Sequence, residues 1–166
     1  AGLETVNLVS SGSASNVLLQ SNDTTIRTIG ASGASALTLN LGGAGVGLAD
    51  NLTAFNGSTA TGALTVTGFG NSAVSVTGGS GNDTFTFGAT FTGTDTVNGG
   101  GGTDTLGVAQ AITAAQWAAN VSNIEEVAFT MGANITQDAS ILSGVTAFTT
   151  SGAFTQVLTR LANNAV

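Results

Sequence analysis

The sequence predicts an all-β fold, a β-solenoid with one or two short helices. Short runs that alternate apolar or β-branched residues with small polar ones recur along the chain and end at Gly, Ser or Asn, the period-two pattern of a strand with one buried face. Between residues 63 and 104 these runs begin about every ten residues, which fits a sandwich or a solenoid. The solenoid is favoured because Thr, Ser, Asn and Gly, which stack well between coils, replace the long polar side chains of an outer sandwich sheet.

The individual elements follow from this pattern. A helix is predicted over 112–124, where Thr113 can cap the first turn of an Ala-rich segment. A second helical turn is predicted within 136–144, with Thr136 or Asp138 as N-cap and Gly144 as terminator. The large aromatic side chains are expected in the core: Phe55, Phe69, Phe85, Phe87, Phe91 and Trp117. The predicted strands lie in the runs 5–12, 16–22, 25–33, 36–43, 63–70, 73–81, 84–88, 94–100 and 103–108.

The charge composition excludes several functions. Only 7% of the residues are charged, against about 25% in an average domain. Two cations, Arg27 and Arg160, face nine acids, so the net charge is −7. A nucleic-acid interface cannot be built from two arginines, whereas an excess of acids suits a protein that binds cations. His, Cys, Tyr and Pro are absent, and no nucleophile–base pair can be assembled, so we expect no enzyme activity.

The ends and hydropathy of the chain add two expectations. No run approaches the roughly 18 apolar residues of a membrane span, so membrane insertion is not expected. The chain opens without Met, as a mature or excised piece would. We expect one continuous domain, a fragment of a longer chain, in three segments: a β-rich repeat segment over 1–62, a calcium β-roll over 63–110, and a short helix with further β-rich repeat over 111–166.

One phrase recurs three times in the middle of the chain. Aligned on their aspartates, the copies are GGSGNDTFT (78–86), TFTGTDTVN (90–98) and GGGGTDTLG (99–107). Glycines permit a sharp turn, the aspartate supplies a hard anionic oxygen, and the last three residues form a short strand. Each copy is half a coil, so copies one and three are expected on one side of the solenoid and copy two on the other.

These nonapeptides resemble the GGxGxDxUx repeat of RTX proteins, where U is a large apolar residue. Copies one and three match every defined position, and copy two has Thr90 and Phe91 where the family has two glycines. The resemblance implies a right-handed parallel β-roll that binds Ca²⁺. It implies a site between turns 78–83 and 99–104, formed by the carboxylates of Asp83 and Asp104 and the carbonyls of Gly79, Gly81, Gly100 and Gly102.

The remaining acids carry weaker expectations. Asp95 has no acid in its same-side upstream turn, so a site there would be incomplete or completed by water. Glu125 and Glu126 should point to opposite faces of a strand and are expected to be solvated or bonded to backbone. Asp23 and Asp50 lie in turns and are peripheral candidates for Ca²⁺. For all the turn aspartates the alternative is that they only accept backbone N–H bonds.

The composition around the nonapeptides is similar to that of surface-layer proteins of Gram-negative bacteria and related secreted RTX matrix or adhesin proteins. This resemblance implies type I secretion, a location on the cell surface, Ca²⁺-dependent folding and self-association into an array. Cell-surface polysaccharide or lipopolysaccharide are further candidate partners. The alternative is a calcium-folded RTX module of a secreted adhesin or enzyme.

Overall fold

A computed structural model describes residues 2–19, 22–130, 134–152 and 155–161. Its strands are short, as the alternating pattern predicts, and every strand pair is parallel. The strands are β1 (Thr5–Ser10), β2 (Ser15–Leu18), β3 (Thr28–Gly33), β4 (Leu37–Asn40), β5 (Ala54–Ala60), β6 (Leu64–Thr67), β7 (Ser75–Thr77), β8 (Thr84–Gly88), β9 (Thr96–Asn98), β10 (Thr105–Val108), β11 (Val121–Ser122), β12 (Glu126–Phe129), β13 (Ile135–Asp138), β14 (Ala147–Thr150) and β15 (Gln156–Thr159).

Successive strands alternate between two sheets, which confirms the predicted parallel β-solenoid, of about seven turns. One sheet has the order β1-β3-β5-β7-β9-β11 and the other the order β14-β12-β10-β8-β6-β4-β2. After β11, strands β13 and β15 pair with each other in a separate two-stranded sheet, while β12 and β14 continue the seven-stranded one. Each of the three predicted segments contributes strands to both large sheets.

The core lies between the sheets and consists of stacked apolar rows. In register, one row runs through Ile29, Phe55, Val76 and Val97. The facing row runs through Leu39, Val66, Phe85, Leu106 and Val127. All nine side chains are at most 1% exposed, and burial of each stabilises the fold by about 1.5–3 kcal/mol. The aromatic residues expected in the core are buried, which confirms that prediction.

The helices are shorter than predicted. Helix α2 (Ala114–Asn120) lies within the predicted 112–124, and Thr113 caps it in a capping box with Gln116. The helix ends early because Val121 pairs with Val97 in the sheet. Residues 135–138, partly predicted as helix, form β13, and only a 3₁₀ turn, Ala139–Ile141, follows it, N-capped by Asp138. Helix α1 (Gly47–Asn51) and strand β5 were not predicted.

Membrane-spanning helices are not found in the described ranges, where neither α1 nor α2 approaches the length or apolar character that crossing a bilayer requires.

Candidate functional site

The first and third nonapeptide turns stack directly on each other. Turn 78–83 joins β7 to β8, and turn 99–104 joins β9 to β10. Because β7 pairs with β9 and β8 with β10, the two turns lie one above the other on the same side of the solenoid. Asp83 and Asp104 are both completely buried. Asp95 lies in the turn between β8 and β9, on the opposite side, so the predicted alternation of the copies is confirmed.

The two buried carboxylates have different partners. Asp83 accepts the N–H of Leu64 at 2.8 Å through Oδ1 and the N–H of Gly79 at 2.6 Å through Oδ2. Asp104 reaches back by one coil, where its Oδ1 accepts the N–H of Asp83 at 2.7 Å. The Oδ2 atom of Asp104 is buried and has no hydrogen-bond partner. Backbone bonding therefore accounts fully for Asp83 but for only one oxygen of Asp104.

Glycine is required where the turns meet. Gly100 has φ +100° and Gly102 has φ +120°, a region that disfavours side chains. A Cβ at Gly100 would lie 2.2 Å from the carbonyl oxygen of Gly79, and one at Gly102 would lie 2.5 Å from that of Gly81. The Gly79 carbonyl also accepts the N–H of Gly101 at 2.9 Å. The Gly79 and Gly81 carbonyls thus lie at the contact between the turns, beside two of the other predicted ligand glycines.

Asp83 and Asp104 stack one coil apart and form a column of carboxylates. Their electrostatic environment is unfavourable. Burial raises the pKa of Asp83 despite its two backbone hydrogen bonds. Burial, followed by the charges of Asp83 and Glu125, raises the pKa of Asp104 to about 6. Both arginines bind elsewhere: Arg27 donates to the Asn51 carbonyl, and Arg160 pairs with Asp138 at 2.8 Å. Within the described ranges, no side-chain cation reaches these carboxylates.

Glu125 extends the column, and the sequence analysis did not assign it there. Its Oε2 accepts the N–H of Asp104 at 2.9 Å, as a backbone-bonded acid would. Glu126 instead accepts the hydroxyl of Thr149 at 2.8 Å. The available signal was the spacing, since Asp83, Asp104 and Glu125 are separated by 21 residues each. The sequence around Glu125 lacks the glycine motif, so the motif alone does not reveal it.

Both carboxylate oxygens of Asp95 accept hydrogen bonds from the chain. Its Oδ1 accepts the N–H of Val74 at 3.0 Å, and its Oδ2 accepts the N–H of Thr92 at 2.7 Å and the Thr92 hydroxyl at 3.0 Å. No second acid stacks on it in the described turn upstream, as expected. Backbone bonding explains this residue.

The peripheral acids also accept local hydrogen bonds, although Asp50 lies in helix α1 and not in the turn that was predicted. Asp50 accepts the N–H groups of Asn71 at 2.9 Å and Gly45 at 2.8 Å, and these bonds hold its pKa below the usual range. Asp23 accepts the hydroxyl and N–H of Thr25 at 2.6 and 2.7 Å, and these bonds lower its pKa. Neither residue lies in the Asp83–Asp104 column.

The donors available in the column are oxygen atoms only, which suits Ca²⁺ in chemistry. Within the described ranges, no three His, Cys, Asp or Glu side chains converge closely enough to hold a metal by themselves. An ion here would therefore take part of its six to eight oxygens from main-chain carbonyls or water. The partnerless Oδ2 of Asp104 is the observation that fits such an ion.

No protein-family model, curated protein or solved structure gives a significant match to this chain. The resemblance to RTX proteins therefore rests on the residues of the nonapeptides.

Proposed function

We propose that this chain is a calcium-stabilised structural protein that self-associates into an array at the cell surface. One observation carries the proposal: Asp83 and Asp104 are completely buried one coil apart, neither arginine of the described chain reaches them, and one oxygen of Asp104 has no partner. Burying a charged carboxylate without compensation costs free energy, so the group protonates or takes a cation. With a pKa of about 6 for Asp104, a cation is the compensation available at neutral pH.

The ligands would come from both turns. Asp83 and Asp104 would supply carboxylate oxygens, and the carbonyls of Gly79, Gly81, Gly100 and Gly102 would supply the remainder. A bound Ca²⁺ supplies the positive charge that the column lacks. The chain's own contribution is to fix the coil spacing through the β8–β10 pairing and, with glycine at 100 and 102, to let the two turns approach each other closely.

Calcium binding would couple the folding of this chain to its surroundings. A site occupied at 100 times its dissociation constant stabilises the fold by about 2.7 kcal/mol, comparable to a disulfide, which a chain without Cys cannot form. In a calcium-poor cytosol the repelling carboxylates favour a loose chain that can be exported. In calcium-rich surroundings outside the cell the folded state gains this free energy.

Self-association is supported by where apolar side chains are exposed. The exposed large apolar residues of the described ranges all lie on the first or last coils: Leu3, Val9, Leu18, Val157 and Leu161. The edges of β1 and β2 at one end, and of β14 and β15 at the other, have no strand partner among the described residues. All pairs are parallel, so the last coil of one copy can pair with the first coil of the next, a head-to-tail contact that repeats.

A calcium titration followed by circular dichroism and light scattering tests both parts. We expect calcium to induce or stabilise β-structure and then to produce large ordered particles. The double variant Asp83→Ala with Asp104→Ala should lose the calcium response, whereas the matched Asp95→Ala variant, which removes a buried acid on the other side, should keep it. An unchanged response in the double variant contradicts the site. A calcium-bound folded monomer contradicts assembly and favours the module of an adhesin or enzyme.

A further inference from the structure

The arrangement around Asp83 recurs around Asp104, one coil further on. At Gly78, the point where a Cβ would sit lies 1.9 Å from the carbonyl oxygen of Gly99 and 2.6 Å from Oδ2 of Asp83. At Gly99, the corresponding point lies 1.9 Å from the carbonyl oxygen of Asn123 and 2.5 Å from Oδ2 of Asp104. In both coils a carboxylate oxygen and the carbonyl of the next coil thus meet beside a glycine.

The two arrangements differ in one hydrogen bond. In the first turn the Gly79 N–H satisfies Oδ2 of Asp83. In the second turn the corresponding N–H, that of Gly100, donates to Oδ1 of Asn98 at 3.1 Å. The same Asn98 oxygen accepts the side-chain amide of Asn123 at 2.8 Å. Oδ2 of Asp104 is consequently left without a donor, and beside Gly99 it lies near the carbonyl oxygen of Asn123 in the coil that follows.

The coil that follows offers a third oxygen group. The turn from β11 to β12 contains only Asn123, Ile124 and Glu125, whereas the two nonapeptide turns that precede it on this side, 78–83 and 99–104, contain six residues each. Asn123 turns in the left-handed region, with φ +52°. This short turn brings Glu125 directly beneath Asp104, where one carboxylate oxygen is fixed by the Asp104 N–H. Glu125 is only half-buried and lines a cavity at this end of the turn.

We propose a second cation site beneath the third nonapeptide, formed by Oδ2 of Asp104, the carbonyl oxygen of Asn123 and the carboxylate of Glu125. These are hard oxygen donors with two negative charges, which suit Ca²⁺. A cavity of about 310 Å³ lined by Asn123, Glu125 and Trp117 adjoins the site and has room for the waters that complete the shell. The inference rests on the proposed function, because Asp104 would serve two ions, one on each side.

Binding of an ion at this site can be detected through Trp117. It is the single tryptophan of a chain without tyrosine, and it lines the same cavity as Glu125. Tb³⁺ is an oxygen-seeking substitute for Ca²⁺ whose emission is sensitised by a nearby indole. We would measure Tb³⁺ emission on tryptophan excitation and, in parallel, Ca²⁺ stoichiometry by calorimetry. The variants are Glu125→Gln, Glu126→Gln and Asp83→Asn.

The Glu125→Gln variant retains an oxygen that can accept the Asp104 N–H, so the fold should survive, which circular dichroism checks. We expect one bound calcium fewer than in the unmodified chain and loss of most of the Tb³⁺ emission sensitised by Trp117. Glu126→Gln, at the neighbouring residue that bonds Thr149, should change neither quantity. Asp83→Asn should weaken binding of the ion between turns 78–83 and 99–104, while the Tb³⁺ emission sensitised by Trp117 persists.

The outcomes separate the two proposals. If the unmodified chain takes up neither Ca²⁺ nor Tb³⁺, the proposed function fails and this inference fails with it. If calcium binds but Glu125→Gln leaves the stoichiometry, the affinity and the emission unchanged, only the second site is overturned. Loss of one ion and of the emission in Glu125→Gln alone supports it.

Discussion

Asp95 and Asp104 occupy corresponding places on opposite sides of the solenoid, and both are buried. Asp95 follows the turn TFTGT, in which Thr92 closes over its carboxylate with both an N–H and a hydroxyl. Asp104 follows GGGGT, in which no hydroxyl reaches it and the Gly100 N–H binds Asn98. The same type of side chain thus has both oxygens hydrogen-bonded on one side and one oxygen without a partner on the other. Thr92, which aligns with Gly101, makes this difference: it directs its N–H to the carboxylate and adds a hydroxyl donor, whereas the Gly101 N–H binds the Gly79 carbonyl.

Replacing Asp104 by Asn should give the largest change in the free energy of unfolding and in its dependence on calcium. Its amide nitrogen, placed at the Oδ2 position, can donate to the Asn123 carbonyl beside Gly99, while its oxygen keeps the Asp83 N–H. We expect the calcium-free chain to gain about 1 kcal/mol in free energy of unfolding. The variant should also lose most of the roughly 2.7 kcal/mol that calcium at 100 times its dissociation constant supplies. Denaturant unfolding with calcium or with a chelator measures both.

The Asp83→Asn variant is the control for this substitution. Both of its oxygens accept N–H groups, so an amide nitrogen would face a donor and the calcium-free chain should lose stability. If the two variants change the free energy of unfolding of the calcium-free chain by the same amount, the difference assigned to the two turns is wrong.

The pH dependence of the calcium-free chain should be the next largest effect. Burial raises the pKa of Asp104 to about 6, above its value in the unfolded chain, so the folded chain holds the proton more tightly. The stabilisation is therefore fully present below about pH 4 and is lost as the pH rises through about 6. After allowance for solvent screening this amounts to about 2 kcal/mol. Unfolding free energies measured between pH 4 and 7 should fall for the original chain and fall less steeply in Asp104→Asn, where the raised pKa of Asp83 still contributes. If the unfolding free energy depends on pH identically in both proteins, the titrating group is not Asp104.

Replacing Asp95 by Asn should give a smaller effect that does not depend on calcium. An amide keeps one acceptor but cannot serve both the Val74 N–H and the Thr92 donors. Leaving a buried donor unsatisfied costs about 1–2 kcal/mol. The loss should be the same with calcium and with chelator. A loss that appears only with calcium would show that Asp95 binds the ion, and the contrast between the two sides would have to be abandoned.

Much of the fold could be predicted because it follows from local patterns. The period-two alternation located most strands, and the nine-residue spacing placed Asp83 and Asp104 on one side and Asp95 on the other. The missed elements had weaker local signals. Strand β5 reads AFNGSTA, in which a glycine and polar residues interrupt the alternation. Residues 135–138 form a strand because they pair with β15, twenty-one residues away, a contact that local helix signals do not include.

The site was predictable only in part for a related reason. The motif indicated Asp83, Asp104 and their glycines as candidate ligands, since each set lies within nine consecutive residues, and the structure places the two turns beside each other. Glu125 was assigned only a backbone bond or solvent, because its turn has three residues and no glycine. Its place beneath Asp104 depends on the β10–β12 pairing, which acts between distant parts of the chain.

The sequence by itself determined the stacked parallel strands, the side of each nonapeptide turn and the excess of acids over cations. These properties depend on residue periodicity and composition, which are local and additive. Only the tertiary structure decided which carboxylate oxygen is left without a donor. That depends on whether the Gly100 N–H binds Asp104 or Asn98 and on how closely Asn123 approaches Gly99. Such choices are made by the packing of one coil on the next, where distances of a few ångströms decide whether an oxygen is satisfied or free.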